Sequence, residues 1–204
     1  HSNKHRILAG GNWRVKEVKA VHNQYVKKGD VLTVMDSYDI QMDLMARDYE
    51  LLKLENAVQS YKDNYKPARL SEYERDLELA QNEMERSKRE LDLIKELYEA
   101  GSESLKNVEA AEYTYNSKMH DYLSKKNELD EIRKDHAIKQ EEYERVLKEK
   151  VAELELKKAE LARKRETVTE DGLITADTDG IVTVVGIEPG TSTTQNQVLF
   201  EIAQ

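Results

Sequence analysis

Apolar residues at seven-residue spacing fill the middle of the chain. Leu44, Leu51, Val58 and Tyr65 form one series, with Leu54 and Tyr61 three residues after two of them. Leu70, Leu77, Met84 and Leu91 form the next, with Tyr73, Ala80, Ser87 and Ile94 at the second seam position. Tyr115, Tyr122, Leu129, His136 and Tyr143 follow, then Leu147, Leu154, Leu161 and Val168 after a stutter. This is the a/d pattern of helices that bury a narrow stripe against a partner helix. With only eight glycines and two prolines in 204 residues, long unbroken elements are expected. The register shifts between Tyr65 and Leu70, around Asn64 and Pro67. Proline lacks the amide proton and clashes with the preceding turn, which predicts a kink or short break there.

The segment Ala100-Gly101-Ser102-Glu103-Ser104 ends one helix and begins another. Gly101 suits the left-handed position just past a helix end, and Ser104 suits an N-cap. The second helix is predicted from about Leu105 to Thr167. Each arm then has roughly 63 residues and extends ~95 Å at ~1.5 Å per residue. Equal arms joined by a short loop make an antiparallel hairpin whose ends return to one place. Val15, Val18, Val21, Val26, Val31, Leu32 and Val34 read as strands between about Trp13 and Met35, with a turn at Lys28-Gly29-Asp30. Ile181, Val182, Val184, Val185 and Ile187, the Pro189-Gly190 turn, and Val198, Leu199, Phe200 and Ile202 read likewise. Neither β piece is long enough to bury a core alone, so each is expected to complete the other. The fold class expected is α+β. Residues 12–36 form the first half of a β-domain, 37–170 a long antiparallel two-helix coiled-coil hairpin with its tip near 100–104, and 171–204 the second half.

Composition narrows the function. Charged residues make up 36% and apolar residues 38%, and the net charge is −9 with both signs mixed. No basic block could track a phosphate backbone, so nucleic acid is not an expected partner. No apolar stretch is long enough to span a membrane, and no stretch reads as a signal peptide. His1-Ser2 reads as the remnant of a cleaved tag, and the abrupt ends predict a piece of a longer protein. Cysteine is absent, so no disulfide or thiolate site is needed. His22, His120 and His136 have no carboxylate or His at i+4 to build a helix-face metal site, and His136 falls on the tyrosine seam. The carboxylates line solvated helix faces and enclose no cleft that would shift a pKa. No serine lies in a nucleophile elbow, and Gly10-Gly11 lacks the strand–loop–helix context of a phosphate loop. Catalytic residues, metal ligands and cofactor-binding residues are all expected to be absent. The 11 tyrosines, against one Phe and one Trp, fit a thin helical seam whose hydroxyls reach water at the rim. Lateral contact between neighbouring hairpins is the second reading.

Several segments resemble a known family. Val26-Lys27-Lys28-Gly29-Asp30-Val31-Leu32 resembles one half-motif of biotinyl/lipoyl domains. Ile174-Thr175-Ala176-Asp177-Thr178-Asp179-Gly180-Ile181-Val182 resembles the opening of the other half, and Pro189-Gly190 with Gln197-Val198-Leu199 its close. Asp177 stands at the usual proline place and Asn196 at the usual glycine of the closing turn. A lipoyl-like β-sandwich split by a coiled-coil hairpin resembles the HlyD-like membrane fusion proteins, the periplasmic adaptors of efflux and secretion systems. The Lys/Glu/Tyr-rich style points to a Gram-positive type. A carrier lipoyl domain would present a modified lysine where Met35-Asp36-Ser37 stands, so a carrier role is not expected.

The resemblance implies a non-catalytic adaptor, extracytoplasmic and anchored to the cytoplasmic membrane. It would be hexameric and would serve a membrane transporter such as an ABC-type permease. Adaptors that meet an outer-membrane channel carry Arg, Leu and Ser at the tip. Leu97 and Ser104 match, but Leu93 stands at the arginine place, which argues against a channel partner. Leu97, Gly101, Ser104 and Leu105 are the candidate partner-binding residues. On residue chemistry alone Leu97 is a seam residue and Ser104 a cap. The alternative function is a coiled-coil tether with partner-binding β ends.

Overall fold

The structure, a computed structural model, describes residues 3–204. The His1-Ser2 remnant lies outside the described residues. In chain order the elements are β1 (Lys4–Leu8), β2 (Val15–Val18), β3 (Tyr25–Val26), β4 (Val31–Met35), α1 (Ser37–Asn64), α2 (Leu70–Glu99), α3 (Leu105–Thr167), β5 (Leu173–Thr175), β6 (Gly180–Val185) and β7 (Val198–Ala203). They form two compact units, His1–Tyr61 with Lys148–Gln204, and Lys62–Leu147.

The first unit holds two antiparallel sheets, of order β1-β7-β6-β3 and β2-β4-β5. Three pairings, β1–β7, β3–β6 and β4–β5, join a strand before the helices to one after them. The core residues Trp13, Leu32, Met35, Val182, Leu199 and Phe200 belong to one buried cluster with Ile40 and Leu44 of α1 and Leu161 of α3. The helix stems therefore seal the β-core. Asp36 caps α1: its carboxylate accepts from the Tyr38 amide at 2.9 Å. The chain thus passes from β4 into a helix where a carrier domain would place its lysine turn. Asn196 takes φ 67° and supplies the left-handed conformation that glycine usually provides.

Two expectations need correction. Strand β1 lies ahead of the expected 12–36 segment. Its Lys4, His5 and Arg6 are exposed and only Ile7 is buried, so it carries no β pattern to read. Trp13 sits before β2 and not in a strand, although it is almost fully buried.

α1 and the last part of α3 run antiparallel in this unit, with Asp43–Lys164 at 3.1 Å, Asp48–Arg165 at 2.7 Å and Glu55–Lys158 at 3.6 Å. In the second unit α2 pairs with the first part of α3. Lys95–Glu112 at 3.7 Å, Lys118–Glu83 at 2.9 Å and Arg133–Glu74 at 3.2 Å fix the same antiparallel sense. All of these except the partly buried Asp43–Lys164 pair are exposed, and they mark register more than they stabilise. The energy of association lies in the buried seam residues Ala80, Ser87, Leu91, Val108 and Leu129.

The break at Pro67 falls where the sequence places it, between Asn64 and Leu70. The Tyr65 ring there stacks on Tyr143, with centroids 3.8 Å apart. Tyr61, Tyr65, Tyr115, Tyr122 and Tyr143 are half-buried along the seams, as expected. The other six tyrosines are exposed. Tyr73, expected at the seam, is one of them: it lies on the first turn of α2, beside the break, where the helix pair begins anew.

Candidate functional site

The turn between α2 and α3 is built by local chemistry. Gly101 takes φ +82°, and its amide donates to the Tyr98 carbonyl at 3.0 Å. The Ser102 amide donates to the Leu97 carbonyl at 2.8 Å. Together these satisfy the last carbonyls of α2 in a Schellman arrangement. Ser104 opens α3: its hydroxyl oxygen accepts from the Asn107 amide at 3.2 Å. Glu103 accepts a short hydrogen bond from the Asn107 side-chain amide.

These caps hold apolar side chains open to solvent. Leu97 is 38% exposed and Leu105 53%. Past Leu91 and Ile94 the buried seam opens, and Leu97 and Tyr98 are both exposed. Leu97 is therefore not the seam residue expected from the pattern. Leu93 is exposed as well. The segment Glu90 to Glu112 carries seven carboxylates and two lysines, a net −5 of the chain's −9. A shallow groove lined by Ser87, Glu90, Ile94, Asn107 and Ala110 runs beside the turn. All four candidate residues, Leu97, Gly101, Ser104 and Leu105, are exposed within this short stretch.

A cap prediction arises here. A Cβ on Gly101 would meet nothing within 4 Å, so Gly101→Ala is penalised by the left-handed backbone alone, about 1 kcal/mol. Ser104→Ala removes one cap bond and costs about 1 kcal/mol. Thermal midpoints of the two variants should fall by similar small amounts.

A second polar assembly lies in the first unit and was not anticipated. The Trp13 indole Nε1 donates to Asp43 Oδ2 at 2.8 Å, and Lys164 Nζ donates to the same oxygen at 3.1 Å. Lys164 Nζ also stands 5.8 Å from the Trp13 ring centroid. The Trp13 amide donates to Thr193 Oγ1, which in turn donates to the Gly11 carbonyl. Partial burial works to raise the Asp43 pKa. The bonds from Trp13 and Lys164, with the charges of Lys164 and Arg47, outweigh it and hold the carboxyl below its ordinary value. The assembly joins the segment before β2 to α1 and α3. No spacing rule reveals it, because Asp43 and Lys164 lie 30 and 151 residues from Trp13 in the chain.

Among the described residues no group of His, Asp or Glu could hold a metal ion, and no helix is long and apolar enough to cross a membrane.

No protein-family model matches the chain, and no curated protein matches its sequence. Among solved structures it is similar to the periplasmic adaptor protein EmrA, at 17% identity over 99% of this chain and 72% of that one, TM-score 0.42. It is similar to ZneB from Cupriavidus metallidurans at 16% identity over 98% of this chain and 60% of that one, TM-score 0.34. It is also similar to the soluble domain of LipC, a membrane fusion protein of a type I secretion system, at 12% identity over 98% of this chain and 99% of that one, TM-score 0.34. In this chain the β-strands are divided by the helices and paired across that division.

Proposed function

We propose that the chain is the adaptor subunit of an export system, a scaffold that performs no chemistry of its own. In this reading it stands outside the cytoplasmic membrane, anchored to it, and links a transporter of ABC type to extracytoplasmic partners. Residues 12–36 and 171–204 serve as the two halves of its lipoyl-like domain, and copies of the chain assemble side by side. The observation that carries the reading is the tip. A doubly capped turn on a rigid helix pair keeps Leu97 and Leu105 exposed, as a docking surface requires and an ordinary connection does not. Leu93, at the place of the tip arginine, argues for a partner other than an outer-membrane channel.

Leu97→Asp and Leu105→Asp touch neither cap. In the full-length protein each is expected to lower export roughly tenfold or more with an unchanged thermal midpoint. Wild-type export by both variants would move the partner contact to the β-domain. Cross-linking in membranes should recover a transporter subunit with the wild-type chain; recovery of the chain without one would remove the adaptor reading.

A further inference from the structure

The order β1-β7-β6-β3 leaves β1 at the edge of its sheet. The Gln204 amide donates to the Asn3 carbonyl, and the Ala9 amide to the Gln197 carbonyl, so residues 3 and 9 turn their backbone groups toward β7. Antiparallel bonding alternates along a strand. His5 and Ile7 therefore turn the same way, and Lys4, Arg6 and Leu8 turn their amides and carbonyls away from β7. An open edge of this kind is a template for another strand, and charged side chains commonly guard it. Here Lys4 and Arg6 are drawn back onto Glu201 of β7, at 3.4 and 3.3 Å, and leave the edge bare.

The open edge borders a cavity of about 840 Å³ within the first unit, a volume in the range of sites that enclose a ligand. His5 to Gly10 line it without a gap in the sequence. Side chains alternate between the two faces of a strand, so an unbroken run reaches one space only along the edge. The helix stems line the same cavity, with Arg47 and Leu51 of α1 and Leu161 and Lys164 of α3. Ile7, Ala9 and Leu161 belong to the buried core, and Leu51 packs against it. A segment laid along β1 meets backbone donors and acceptors on one side. At every second residue it also meets apolar surface continuous with the core.

We infer that this trough receives an extended segment of a partner protein, which joins the sheet as a strand beside β1. Backbone bonds to Lys4, Arg6 and Leu8 supply the affinity, and apolar side chains at alternate positions set the register. The stems decide which occupant fits. β1 of a second copy is lined by its own α1 and α3, so two such edges meet only by driving four helices into one trough. A free terminus or an unpaired loop enters without that conflict. The site lies in the first unit and its argument uses neither the tip nor the scaffold reading.

Random peptides of about seven residues, displayed on phage and selected on the purified chain, supply the probe. Selected sequences should alternate apolar and polar residues. Methylating every second backbone nitrogen of a selected peptide should weaken binding roughly tenfold or more in one phase of the alternation and little in the other. Arg6→Pro removes an amide that β7 does not use and sets a ring on the edge. It should lose binding to the same extent, with circular dichroism and Trp13 emission unchanged. Arg6→Ala keeps the amide and should bind as the wild type does. In the full-length protein the Lys4 and Arg6 amides should exchange freely and become protected when the peptide is added. Failure to select any peptide, indifference to methylation, or wild-type binding by Arg6→Pro overturns the inference. Equal loss in Arg6→Ala and Arg6→Pro overturns it too, and assigns the contact to the side chain. Amides protected before any peptide is added overturn it in favour of a segment of the protein's own chain. Protection that grows with protein concentration overturns it in favour of a second copy. The methylated peptides decide the matter even where Arg6→Pro disturbs the strand.

Discussion

Deleting residues 172–204 is expected to abolish hydrogen-exchange protection in β1 to β4, although none of those strands is touched. β1 loses β7, β3 loses β6 and β4 loses β5, so only the β2–β4 pair keeps its partner. Leu199, Phe200 and Ile202, all fully buried, leave the core at the same time. A two-stranded remnant without a covered face is at best marginal in water. The heptads of α2 and the first part of α3 are left whole, so substantial helix should survive by circular dichroism. Persistent protection of Val15–Val18 and Val31–Met35 would mean that the N-terminal strands fold independently.

The second large effect is expected at the assembly around Trp13. Asp43→Ala leaves the buried indole donor and the nearly buried Lys164 ammonium without their acceptor, a loss of about 2–3 kcal/mol. Trp13 is the only tryptophan, so its emission reports the site directly. The emission should shift to longer wavelength as water reaches the ring. Because the folded pKa of Asp43 lies below the ordinary 3.8, its contribution is fully present above that value and is lost as pH falls through the folded pKa. The wild type should therefore show an emission change below about pH 4 that Asp43→Asn lacks. Gly11→Ala should act on the same site at neutral pH. Its Cβ would lie 2.6 Å from Trp13 Nε1 and 2.7 Å from Asp43 Oδ2, and the overlap is expected to cost about 1–3 kcal/mol. Wild-type emission and stability in Gly11→Ala would show that the loop gives way freely.

Much of the fold was legible because it is written in local or periodic chemistry. The heptads, the break at Pro67, and the caps at Gly101 and Ser104 each follow from a residue type at a defined place. Asn196 was a departure from the glycine pattern in sequence, and its φ of 67° removes the conflict. What remained hidden lacks such a signal. β1 buries only Ile7 and is a strand because β7 is there to pair with it. The Trp13, Asp43 and Lys164 side chains meet only after the sheets and stems have packed. On α1 the exposed Tyr38, Met42, Met45, Tyr49 and Leu52 lie away from the buried Ile40 and Leu44, so its apolar residues do not fall on one face that a pattern could single out. The surplus of tyrosine, read chiefly as seam filling, is so for five of the eleven, and the other six are exposed. At the tip, sequence placed the caps correctly but put Leu97 inside the seam, since a heptad assigned near a helix end has few neighbours to fix it.

The division of the β-domain also sets a timetable for synthesis. β1 emerges first, yet its partner β7 follows after about 190 residues, roughly 10–40 s at ordinary ribosomal speed. During that interval β1 has no sheet to join, and Val26, Leu32 and Met35 have no Phe200 to cover them. Joining the halves through a loop of about 140 flexible residues would carry a closure cost of roughly 4 kcal/mol. Helices that pair progressively from the capped turn at Gly101 divide that single long closure into many short ones. The caps at the turn thus serve the nascent chain as the starting point of a zipper. Weakening them should slow refolding more than it hastens unfolding.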